Sequence, residues 1–480
     1  MNNKFSVLKE IIVGILILAM LPVLIFSSCK PEQEIDNDES GSEEEPGTEE
    51  PGDKSDIDEE PDGKTGTGEE DIINAFNELL DQGSRSYQLI SFIDDNMAEI
   101  SPEGFDILLE KLEMVQKEDI QYYTDLLFED DWQNKLNVIF YRDIESEDLA
   151  DIDDIQLKEL MTEIIQGGFK LVALEGSFYP YIDYEFLKKY SEYLSPMYFD
   201  YINVMALESN KVFSRDAALT ISWDELALRL INCEEFLLNY PDETIRKRSV
   251  GDLYMRYLVS YIIGQNNTPT YSYENNTIYP EVLDSYDKLF LEYPDYITAD
   301  LIRSYTEILA ETDNTINESV FEEINGIYRE AVLSFELNSP PLLFEGIKNT
   351  YYQTPLSKNG YVVLINGEFL EEDDTDQANN VLIKLSDFFA FGDFDGDGIN
   401  DAAAILTSSK QNEVTIYSLT LNLNRYFYFQ NIPDVMIGNS AEIEIKGIEI
   451  EENRISINII SDGTEETLIY GVVDNQFVEQ

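Results

Sequence analysis

The residues of this 480-residue chain whose types and spacing could do chemistry stand in one short run, Gly392-Asp-Phe-Asp-Gly-Asp-Gly-Ile-Asn-Asp401. Counted from Asp393, carboxylates fall at the first, third, fifth and ninth positions: Asp393, Asp395, Asp397 and Asp401. Gly398 is sixth and Ile399, which can offer a backbone carbonyl, is seventh. Calcium takes six to eight hard oxygen ligands on a sharply turning loop, and this spacing suits it. The four charges repel one another, and no lysine or arginine stands beside them in the sequence. The expectation is a structural Ca2+ site made by Asp393, Asp395, Asp397, Ile399 and Asp401. The twelfth position is Ala404, not a bidentate glutamate. The affinity expected is therefore weak, on the order of 10⁻⁴ M. The alternative is an Asp/Gly-rich turn that binds nothing strongly.

The rest of the composition removes other chemistries. There is no histidine and there are only two cysteines, Cys29 and Cys233. That excludes Ser-His-Asp and Cys-His nucleophile pairs, histidine-ligated zinc or haem, and iron–sulfur clusters. The 97 acidic residues against 31 basic ones give a formal net charge of −66, which repels phosphate backbones, so no nucleic-acid partner is expected. With 97 carboxylates some pair will fall at a glycosidase-like separation by chance, and no local signature marks one. The chain is therefore read as not an enzyme. The alternative kept beside that reading is a carboxylate-dependent hydrolase acting on cell-wall glycan or another polysaccharide.

Near the N-terminus, Lys4 and Lys9 precede a charge-free apolar stretch of 16 residues, Ile11 to Phe26, and then Ser27-Ser28-Cys29. The stretch is short of the ~20 residues of a membrane-crossing helix, and no basic run follows it. This pattern resembles a bacterial lipoprotein signal, with Phe26 where the usual motif has leucine. The resemblance implies that residues 1–28 are removed and that Cys29 becomes the lipidated N-terminus, anchored at the extracytoplasmic face of the cell membrane. Residues 31–70 hold 18 acidic residues, four prolines, six glycines and no aromatic residue. Such a segment cannot bury enough apolar area to order itself, so residues 29–70 read as a disordered acidic linker.

Residues 71–340 carry helical periodicity. Ile72, Ile73, Phe76, Leu79 and Leu80 form a stripe closed by Gly83; Ser101-Pro102 starts a second helix; Ile120 to Phe128 and Leu157 to Ile165 read as further helices. Ser222 to Glu225 and Ser319 to Glu322 read as capping boxes. FLLNYPD (Phe236–Asp242) recurs 53 residues later as LFLEYPD (Leu289–Asp295). Each copy ends a helix at Tyr-Pro, and Asp242 and Asp295 are the expected N-caps of the helices that follow. These turns resemble those of tetratricopeptide-like helical hairpins, stretched by a polar insertion over 265–278. Ten tyrosines lie between Tyr254 and Tyr305, on helix–helix contacts with hydroxyls at the rim, or else on a binding face for sugars or peptides. Cys233 reads as a small buried core residue.

From residue 341 the period changes to two. Tyr361–Ile365, an Asn366-Gly367 turn and Glu368–Leu370 predict a hairpin. Val381–Leu385, Ala402–Leu406, Val414–Leu423, Ile443–Ile450 and Arg454–Ile460 predict further strands, placing the acidic loop between a strand ending near Phe389 and one starting at Ala402. An EF-hand-like loop between strands resembles FG-GAP or VCBS-type repeats. The arrangement from 345 to 480 resembles a C-terminal module of secreted bacterial proteins, which implies a structural or binding unit.

The fold class expected is multidomain α plus β: irregular stacked α-hairpins over 71–340, then a separate antiparallel all-β domain over 341–480. The function expected is that of a lipid-anchored extracytoplasmic binding or scaffold protein, with the membrane as one partner through Cys29 and an envelope protein or glycan as the other.

Overall fold

A computed structural model describes residues 68–371, 379–410, 413–426 and 428–480. The expected signal segment, Cys29 and the expected linker up to residue 67 lie outside the described residues. The chain is α-helical and then antiparallel β, as the periodicities predict. No helix among the described residues is long and apolar enough to cross a membrane.

The first helix of the described residues, α1 (Gly68–Asp81), already includes the three residues before the expected Asp71, with Glu69, Glu70 and Asp71 in its first turn, where carboxylates favour the helix dipole. It is followed by α2 (Ser86–Asn96) and by α3 (Pro102–Leu127), whose N-cap Ser101 accepts from the Gly104 N–H. The segment from Ile120 is no separate helix but the end of this 26-residue one. Next come α4 (Trp132–Ile139) and α5 (Ile155–Gln166), capped by Asp154. A hairpin then interrupts the helices: β1 (Phe169–Leu174) pairs antiparallel with β2 (Ser177–Ile182). Its turn, Glu175-Gly176, has both φ values positive.

The stacked helices continue as α6 (Pro196–Asn210), α7 (Trp223–Asn239), α8 (Ile245–Ile263), α9 (Pro280–Glu292), α10 (Ile297–Ala310) and α11 (Glu318–Ser334). Ser222 caps α7 as expected, its Oγ accepting from the Glu225 N–H at 3.1 Å. The two similar segments have the same geometry. Tyr240 and Tyr293 end α7 and α9, and their N–H groups donate to Phe236 and Leu289 carbonyls at 3.1 and 2.9 Å. The expected Asp caps do not form. The N-cap residues are Thr244 and Tyr296, and Asp242 and Asp295 are exposed. The α10 terminus is capped from α7 instead: Glu234, 1% exposed, accepts from the Ile297 and Thr298 N–H groups at 2.7 and 2.8 Å and from the Thr298 hydroxyl at 2.6 Å. Likewise α11 is capped by Asn317, not Ser319.

Half of the dense tyrosines are core. Tyr254, Tyr257, Tyr261, Tyr286 and Tyr305 are buried. Their hydroxyls are satisfied inside, not at the rim: Tyr257 donates to Glu208 at 2.8 Å and Tyr286 to the Tyr261 carbonyl at 2.7 Å, for example. A buried hydroxyl without a partner would cost about 1–3 kcal/mol, so these bonds are a condition of the packing. Tyr273 is exposed. Cys233 is buried, and burial pushes its thiol well up, away from the reactive thiolate.

Pro340 does not begin the β pattern. It opens one more helix, α12 (Pro340–Lys348), with Pro in the first turn. Asn366 and Gly367 make the expected turn with φ of 52° and 86°, closed by the pairing of Ile365 with Glu368, but the hairpin goes no further: Val362–Val363 pairs with Tyr351–Tyr352. The strand after the turn, β3 (Glu368–Glu371), pairs with β4 (Val381–Gly392). Then follow β5 (Asp401–Ser409), β6 (Ile416–Asn424) and β7 (Phe429–Asn439), in a five-stranded sheet of order β7-β6-β5-β4-β3. A four-stranded sheet holds β8 (Ile443–Glu451), β9 (Arg454–Ser461), β10 (Thr464–Val473) and β11 (Gln476–Glu479) in sequence order. Alternation along β5 decides its neighbours. Ala403 and Ile405 meet Ile455, Ile457 and Leu419 between the sheets, while Ala402 and Ala404 meet Phe344 and Ile347 of α12. Two alanines without longer side chains let a helix approach the sheet closely.

Candidate metal centre

The acidic run is the connection between β4 and β5, whose last paired residues are Gly392 and Asp401. Both strands therefore extend to the loop itself, and residues 393–400 must reverse the chain. Gly396 and Gly398 do so at φ of 77° and 87°, where a side chain would be strained. Asp393 organises the turn. Its Oδ1 accepts from the Gly396 and Asp397 N–H groups at 2.8 and 3.0 Å, and its Oδ2 from Gly398 N–H at 2.9 Å. Asp401 closes it, with Oδ2 accepting from Phe394 N–H and Oδ1 from Asn424 N–H, both at 2.8 Å.

Asp393, Asp395 and Asp401 come together, with one carboxylate oxygen from each lying within 4.8 Å of the others. Each carboxylate oxygen has two lone pairs: both on Asp393 Oδ1 are taken by N–H groups, whereas Asp393 Oδ2 and the two Asp401 oxygens, with one N–H each, keep one for an ion. The donor set is hard oxygen only, which suits a hard divalent cation. Asp397 is not in this cluster. Its Oδ1 accepts from Ile399 N–H at 2.8 Å and its Oδ2 stands 4.0 Å from Arg425 Nη1. The side chain of Ile399 is fully buried, and it packs with the helical core, not the β core. Ala404, at the twelfth position, lies buried in β5.

The loop also has a cation that its local sequence does not show. Arg425, just past the end of β6, forms an ion pair with Asp395. The antiparallel pairing of β5 with β6 sets Ala402 opposite Asn422 and so carries Arg425 back to the loop. Burial still dominates the titration of the deepest carboxyls. It pushes Asp401 up to about 7, helped by the charges of Asp395 and Asp397 and opposed by its two N–H bonds. It also raises Asp397. A buried carboxylate without full neutralisation resists ionising, and a divalent ion beside it would reverse that.

A second buried carboxyl lies on the same sheet. Ser418, Thr420 and Asn422 make one face of β6 polar yet fully buried. Ser418 donates to Asp434 Oδ2 at 3.2 Å, and the Asp434 N–H donates to the Gln353 carbonyl at 2.9 Å. Burial raises Asp434 to about 7, against hydroxyl bonds from Thr420, Thr354 and Ser418. Its Oδ1 has no hydrogen-bond partner among the described residues.

Compared with protein-family models, with curated proteins and with solved structures, the chain matches none.

Proposed function

We propose that this is a lipid-anchored extracytoplasmic binding or scaffold protein of the bacterial envelope, with a structural Ca2+ site in its β-domain. The observation that carries the metal reading is the convergence of Asp393, Asp395 and Asp401 on one point of a glycine-turned loop. Calcium suits the loop better than magnesium, which demands a strict octahedron and keeps its waters. The ion would be held by these carboxylates together with Asp397 and the Ile399 carbonyl. What it supplies is charge neutralisation and a fixed β4–β5 turn.

The anchoring part of the reading rests on Lys4, Lys9, the apolar run from Ile11 to Phe26 and Cys29. Acyl chains on Cys29 would hold the chain by burying methylenes at about 0.8 kcal/mol each. The acidic linker would lift the folded part off an anionic surface by repulsion. The tetratricopeptide-like helices and the FG-GAP-like module would present surfaces to an envelope protein or glycan. Equilibrium dialysis of the full chain against radioactive calcium tests the metal reading. One bound ion in the wild type, lost in Asp395→Ala/Asp397→Ala, is expected; no bound ion at millimolar calcium overturns it.

A further inference from the structure

Ile399 sits in the acidic loop of the β-domain, yet its side chain is fully buried among the apolar residues of the helical domain. We infer that the 393–401 loop is a latch between the two domains, with Ile399 as its bolt. Several contacts converge there. The Asn400 Nδ2 donates to the carbonyl of Asn338 at 3.4 Å, in the segment joining α11 to α12. A Cβ placed on Gly398 would lie 3.5 Å from Arg329 of α11, so the loop backbone rests against that helix. Beside the loop, Tyr426 has its ring 6.1 Å from Tyr328 of α11 and, with Tyr428, packs on the helical core.

Asn424 and Arg425, at the end of β6, are tied to the loop. Asn424 N–H donates to Asp401 at 2.8 Å, Asn424 Nδ2 to the Asn400 carbonyl at 3.4 Å, and Arg425 pairs with Asp395. Other contacts between the domains are α12 against Ala402 and Ala404, and Arg248 of α8 over the Phe429 ring of β7 at 5.1 Å. Helix α12 also packs on α8, with Leu342 in the helical core, so these contacts engage α8 whereas the latch engages α11. The latch supplies the second point that fixes the orientation. A change in the loop's charge or shape therefore reaches α11 directly, and the surface shared by the two domains depends on the loop. This inference does not require a bound ion.

The test uses the full chain and Ile399→Ala, with Asn400→Ala/Tyr426→Ala as a second variant in case the first fails to fold. X-ray scattering and limited proteolysis at 335–339 are the readouts, with far-UV circular dichroism to show that the strands persist. The latch predicts a larger radius of gyration and about tenfold faster cleavage at 335–339, because opening there becomes sub-global unfolding of low cost. A folded variant with the wild-type scattering curve and cleavage rate overturns it.

Discussion

Arg425 reaches Asp395 across thirty residues of sequence and stands 4.0 Å from the Asp397 carboxylate as well. It is a resident counter-charge for an acidic loop that has none of its own. Arg425→Gln should therefore destabilise the chain by about 1 kcal/mol in EDTA, the scale of a partly exposed pair. Saturating calcium should shrink that loss, because the ion takes over the neutralisation. Urea melts in the two buffers read this, and an equal loss in both would separate Arg425 from the loop's charge balance.

Glu234 makes three hydrogen bonds to the start of α10 while itself buried. Glu234→Ala should cost about 2–3 kcal/mol, more than an exposed cap, because the orphaned N–H groups are left without water. Asp295→Ala, at an exposed site, should stay within about 0.5 kcal/mol. A larger loss for Asp295→Ala than for Glu234→Ala in chemical denaturation would reverse the capping assignment.

These two residues mark the limit of what the sequence discloses. Local rules served where the partner is close: Ser101 and Ser222 cap the next turn, Gly83 ends α1, and the four aspartates and two glycines of the loop announce a tight acidic reversal. They failed where the partner arrives through tertiary structure. Glu234 lies 63 residues before Ile297, and Arg425 comes to the loop only once β5 and β6 pair. The β1–β2 hairpin was legible in principle, since Glu175-Gly176 between FKLVAL and SFYPYI is a turn between two apolar runs. Ile399 reads as a loop residue because nothing local says that the helical core will receive it.

Asp434 gives the stability a pH dependence of defined sign. Its folded value of about 7 lies above the ordinary carboxylate value of ~3.9 expected when unfolded. Its stabilising contribution is thus full below pH ~4 and is lost as pH rises toward 7. Asp401 acts in the same direction in EDTA. Asp434→Asn, which stays neutral, should recover roughly 1–3 kcal/mol at pH 8 relative to wild type and almost nothing at pH 4. Denaturation curves at both pH values decide; a variant less stable at pH 8 than at pH 4, to the same degree as wild type, would assign the slope elsewhere.

Cys29→Ala should block acylation and signal removal together. Metabolic labelling with a radioactive fatty acid should mark the wild type and leave the variant unlabelled. A labelled, processed variant recovered in the detergent phase would place the anchor at another residue.

The most direct measurement is thermal melting of the full chain with EDTA and with about 10 mM calcium, a hundredfold above the weak affinity expected. An ion that binds only the folded state adds RT ln(1 + [Ca]/Kd), roughly 2.7 kcal/mol at a hundredfold excess, which corresponds to a rise of about 3–5 °C. The account predicts that rise in the wild type and its absence in Asp395→Ala/Asp397→Ala. An unchanged melting temperature in the wild type would make the 393–401 loop an acidic turn neutralised by Arg425 alone, and would contradict the calcium site.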